Sequence, residues 1–96
     1  MKNIERLLNS IGKETFVKYF DAFRKQYDTQ ELIKVFRKGL ENWSEDSCKT
    51  KANAGRKLFY SNLEKEALVL IIESNPNKIG GGIETINIAK RLISEL

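Results

Sequence analysis

The chain has no histidine, one cysteine (Cys48) and one proline (Pro76). Without histidine the commonest general base and metal ligand is missing, and a lone cysteine can form neither an intrachain disulfide nor a thiolate cage around a metal. No set of acid, base and nucleophile can be assembled from what remains, so the expectation is a non-enzymatic protein with no metal and no cofactor. Long apolar runs are missing as well. The longest, Ala67 to Ile72, is six residues, far short of the roughly 20 that a membrane-spanning helix needs. Residues 1–20 carry charges throughout, with no apolar stretch of the signal-peptide kind. These absences lead to the expectation of a cytoplasmic protein that does not engage membranes, with Cys48 reduced and acting as a small apolar residue.

What is present fits one small helical domain over residues 1–96. Apolar residues recur at helical period and nowhere alternate in the strand manner over more than a few positions. Ile4, Leu7, Leu8 and Ile11 form a first stripe that Gly12 stops. Phe16, Phe20, Phe23 and Tyr27 form a second on a helix of about 13–26, beside Val17 and Tyr19, and such an aromatic stripe is core material. Asp28 with Glu31 is a capping box for a helix of about 29–38, ended by Gly39 with Leu40 as its hydrophobic contact. After a loop at 41–43, Ser44 is a good N-cap for a helix of about 45–60, because Glu45 and Asp46 follow in its first turn.

Ser61 with Glu64 reads as another capping box, opening a helix of about 63–73 whose apolar run leaves no polar face and so places it in the middle of the fold. Asn75-Pro76-Asn77 stops that helix, and Gly80-Gly81-Gly82 reads as a flexible connector. A phosphate loop would need lysine and a hydroxyl residue directly after the glycines, whereas Ile83 and Glu84 follow. Ile86, Ala89, Ile93 and Leu96 mark a last amphipathic helix of about 83–95. The expected fold is therefore an all-α bundle of five or six short helices, with a helix-turn-helix-like pair at 29–38 and 45–60.

The charge is concentrated. Residues 47–60 hold Lys49, Lys51, Arg56 and Lys57 with no acid, while the rest of the chain holds 13 basic and 13 acidic residues, so the net charge of +4 lies on this stretch of one predicted helix. At about 100° per residue, Lys49, Asn53, Arg56 and Tyr60 fall within about 60° of one another. Cys48, Ala52, Gly55 and Phe59 form a neighbouring apolar face whose small residues permit close approach of another helix. Lysine and arginine neutralise phosphates, and asparagine and arginine make bidentate contacts to base edges.

Ser47-Cys48-Lys49-Thr50-Lys51-Ala52-Asn53-Ala54-Gly55-Arg56-Lys57-Leu58 resembles the recognition helix of sigma-factor region 4, in which a hydroxyl residue precedes a basic helix rich in small residues. The likeness covers about a dozen residues, and the upstream Gly39 to Ser44 segment is longer and more polar than the tight turn of that family. What the resemblance implies is DNA contact by Lys49, Lys51 and Arg56.

The leading expectation is a small nucleic-acid-binding or regulatory protein that uses Lys49, Lys51, Asn53, Arg56 and Lys57. The alternative is a protein-interaction module (an adaptor, inhibitor or antitoxin-like regulator) whose partner is an acidic protein surface or a second copy of itself. Trp43 either closes the core as a lid or serves as an interface anchor. Tyr60 either joins the basic face or packs against Leu63.

Overall fold

The computed structural model describes residues 4–25, 28–39 and 42–96. Tyr27, Leu40 and Glu41, which entered the expectations above, lie outside the described residues. Seven α-helices are present among those described: α1 (Ile4–Ile11), α2 (Lys13–Lys18), α3 (Phe20–Arg24), α4 (Thr29–Arg37), α5 (Glu45–Tyr60), α6 (Glu64–Ile72) and α7 (Ile83–Ser94). A 3-10 turn, Pro76–Lys78, joins α6 to α7. The fold is an all-α bundle, and none of its helices is long and apolar enough to cross a membrane.

The helix count exceeds expectation because the segment after Gly12 breaks at Tyr19, whose φ of −107° and ψ of 19° leave the helical region. A straight helix would spread Phe16, Val17, Tyr19, Phe20 and Phe23 over about 160° of its surface. The break turns the two helices towards different neighbours, since α2 packs against α1 and α7 while α3 packs against α4 and α5. All five side chains are buried.

Their rings join those of Phe36, Trp43 and Phe59 in one aromatic cluster. Phe16 and Phe20 meet edge to face at 5.5 Å, Phe16 and Phe23 stack at 6.0 Å, and Tyr19 and Phe36 meet at 5.0 Å. Offset and edge-to-face pairs of this kind contribute about 0.5–1.5 kcal/mol each beyond area burial. Phe16, Phe20 and Phe23, the described residues of the aromatic stripe, are therefore core, as their spacing implied.

Two caps form as the sequence indicates. Asp28 Oδ1 accepts from the Glu31 amide (2.9 Å), and Ser44 Oγ accepts from the Ser47 amide (3.2 Å). The box read at Ser61 does not form: Ser61 ends α5, and α6 starts behind Leu63 with no side-chain cap. Asn62 is left-handed (φ 58°), the Leu63 amide donates to the Leu58 carbonyl (2.9 Å), and the Asn62 amide donates to that of Phe59 (3.1 Å). That bond pattern is a Schellman stop with asparagine in the place usually taken by glycine. The local signal for a helix start thus sits inside a helix end.

The helix with neighbours on most sides is α5, which packs against α1, α3 and α4, whereas α6 lies between α1 and α7. Ala67, Leu68 and Ile71 of α6 are fully buried, but Val69 remains 38% exposed, so its apolar run is not enclosed all round. On α7 the buried stripe is Thr85, Ile86, Ala89 and Leu92; Leu96, assigned to it from spacing, is exposed.

The three glycines form a packed turn and not a loose connector. Gly81 and Gly82 have φ of 76° and 57°, the left-handed region open to glycine at no steric cost. A Cβ on Gly80 would stand 2.8 Å from the Glu14 carboxylate, and the buried Thr85 hydroxyl donates to the Gly80 carbonyl (2.6 Å).

Candidate nucleic-acid interface

The two sides of α5 differ sharply. On a wheel of about 100° per residue with Lys49 at zero, the buried Ala54, Leu58, Gly55, Cys48 and Ala52 run from about 140° through 180° to about −60°. Arg56, Lys49, Tyr60, Asn53 and Lys57 occupy the opposite arc, from about −20° to about 80°, and all five are exposed. The small residues on the buried side let the neighbouring helices close in, which leaves the long cationic side chains on the outside.

Lys51 is separated from the other four residues expected to bind. It falls at about −160° on the wheel, among the buried residues. It is half-buried, its Nζ donates to the carbonyl of Ile11 at the end of α1 (2.8 Å), and it stands 4.7 Å from the centre of the Trp43 ring. A cation at a helix C-terminus and over an indole face is favourable in both places. Lys51 therefore ties α1, α5 and the segment before α5 together, and the DNA contact that the sigma-factor likeness implied for it does not fit this position.

Trp43 is likewise engaged with the core. Its ring meets Tyr19 at 6.1 Å and Phe36 at 5.7 Å, both edge to face, so it sits as a lid on the aromatic cluster. Tyr60 is the reverse case, 91% exposed, and does not pack down on Leu63.

A polar clamp that the sequence did not suggest lies beside the basic arc. Thr29, the first residue of α4, donates through its hydroxyl to Asn53 Oδ1 (3.0 Å) and accepts from Arg56 Nη1 (3.0 Å). Near the other end of α4, Phe36 meets Trp43 just ahead of α5. α4 is thus held near both of its ends, by α5 and by the segment just ahead of it. The clamp also occupies the Asn53 oxygen, one half of the amide that bidentate adenine recognition requires. Arg56 keeps most of its five N–H donors free for phosphate.

At the C-terminal end of α5 a cleft of about 390 Å³ opens between Phe23, Arg56, Phe59, Tyr60 and Asn62. Phe59 is half-buried and supplies the apolar part of its lining, with the buried Phe23 behind it, while Arg56, Tyr60 and Asn62 are exposed around it. Asn62 was not singled out from the sequence; its left-handed turn at the helix stop carries it to this rim. Among the described residues no three Cys, Asp or Glu side chains converge as metal ligands.

Comparison with known protein families, with curated proteins and with solved structures finds no match for this chain.

Proposed function

We propose that this is a small non-enzymatic nucleic-acid-binding protein that holds its ligand along the exposed arc of α5. The observation that carries the reading is the coincidence of charge and exposure. The chain's whole net charge of +4 resides on residues 47–60, and Lys49, Arg56 and Lys57 stand together on the exposed side of the helix. Three cations against one acid on that arc, Asp46 in the first turn, favour a polyanion, and phosphate contacts need neither a catalytic group nor a bound metal.

The test is a fluorescence anisotropy titration of the purified chain with labelled single-stranded and duplex oligonucleotides. With three phosphates neutralised, raising salt from about 50 to about 200 mM lowers affinity by about 20-fold for a single strand and about 40-fold for a duplex. Reversing charge with Lys49→Glu and Arg56→Glu abolishes binding and leaves the Tm nearly unchanged, because exposed substitutions usually shift stability by no more than about 0.5 kcal/mol. Absence of salt-dependent binding at about 50 mM refutes the reading. Self-association in ultracentrifugation would then favour a protein-interaction module instead.

A further inference from the structure

We infer that the cleft at the C-terminal end of α5 receives an unpaired base of a single-stranded nucleic acid, stacked on Tyr60 with the adjoining phosphate at Arg56 and Lys57. This rests on the nucleic-acid reading above and names the form of ligand that the site takes.

Four observations converge on it. Tyr60 is 91% exposed although it is a large aromatic residue in the last turn of a well-packed helix, so its ring is open to a flat partner. The half-buried Phe59 gives the cleft beside it an apolar wall, and its volume of about 390 Å³ lies at the lower end of the range of small-ligand sites. Arg56 belongs to both the cleft and the cationic arc, so a strand following Lys49 towards the helix end brings its backbone past the mouth. Asn62 places an amide, both donor and acceptor, among the lining residues.

The same geometry disfavours a duplex. Bases in a duplex are stacked on each other and cannot reach Tyr60, and the groove-reading amide of Asn53 is held by Thr29. Aromatic side chains beside a cationic track are the means by which proteins bind single strands with little sequence preference, since every base has a π face.

The experiment titrates the full chain with labelled oligothymidylate and oligouridylate of about 12 nucleotides, and with a duplex of matched length. The single strands bind more tightly than the duplex. Tyr60→Ala lowers single-strand affinity by about fivefold or more, while Tyr60→Phe stays within about twofold because the ring is kept. Tyr60→Ala leaves the salt dependence unchanged, since no phosphate contact is lost, whereas Lys49→Glu with Lys57→Glu flattens it. Equal affinity for duplex and single strand, or a Tyr60→Ala variant that binds as the parent does, overturns the inference. If the charge variants still lose binding in that case, the nucleic-acid reading survives; if the parent binds no oligonucleotide, both fall. Thermal melts of each variant control for folding, and the exposure of Tyr60 predicts no change in Tm.

Discussion

Gly55→Ala is the substitution for which propensity and packing give opposite signs. Glycine inside a helix is about 1 kcal/mol worse than alanine, so helix propensity alone makes the variant more stable. Packing opposes this. An alanine Cβ at position 55 would lie 2.5 Å from Cδ1 and 2.7 Å from Cζ of Phe23, and nearer still to Cε1, against about 3.5–4.0 Å for relaxed carbon contacts. The ring must therefore move by roughly 1 Å. It has little room to do so, because Phe23 is 1% exposed and its ring faces Phe16, Phe36 and Phe59 at 5.9–6.2 Å.

Overpacking of this kind costs about 1–3 kcal/mol, and a ring enclosed on three sides belongs at the upper end. Subtracting the propensity gain leaves a net loss of about 2 kcal/mol, which for a chain of this size lowers Tm by about 8–16 °C. Thermal and urea denaturation followed by far-UV circular dichroism measure it. In a double-mutant cycle, adding Phe23→Leu removes the obstructing ring, so the two substitutions together cost less than the sum of each alone. A Gly55→Ala variant as stable as the parent, or additive costs in the cycle, would refute a close crossing of α3 on α5.

Further outcomes follow from the contacts around α5 and the glycine turn. Lys51→Met keeps the aliphatic stem but orphans the Ile11 carbonyl and removes the cation from the Trp43 ring; the loss is about 1.5 kcal/mol, read as a lower Tm together with altered Trp43 fluorescence. Thr29→Val removes both hydrogen bonds of the clamp and costs about 1 kcal/mol or less, with oligonucleotide affinity kept because Arg56 is released. Gly81→Ala puts a side chain at φ 76° and against Thr85 Oγ1 and Glu14, and the melt should show a loss of about 1–3 kcal/mol.

Local chemistry made most of the helices legible. The stripe Ile4, Leu8, Ile11, the capping atoms of Asp28 and Ser44 and the span 45–60 all rest on groups within about one turn of each other along the chain, where a helix brings them together whatever the rest of the molecule does. The concentration of charge on residues 47–60 is legible for the same reason. Sequence spacing misled where two local signals overlap, as at Ser61-Asn62-Leu63-Glu64. There the start pattern was visible, while the stop was set by Asn62 entering the left-handed region so that Leu63 could bond back to Leu58.

By itself the sequence determined an all-helical class, the ends of α4 and α5, a buried aromatic stripe and a cationic helix; these depend on period, caps and composition, which act over a few residues. Tertiary structure alone decided what engages the polar side chains of α5. Lys51 is drawn in by a carbonyl 40 residues away and by the Trp43 ring, and Arg56 and Asn53 are clamped by Thr29, 27 and 24 residues from them. It also decided the break at Tyr19, where α2, packed against α1 and α7, gives way to α3, packed against α4 and α5. The physical reason is common to all of these. A side chain's partner across such separations is chosen by how the helices pack, and packing depends on the volume and shape of every facing residue together, which no window of neighbouring residues contains.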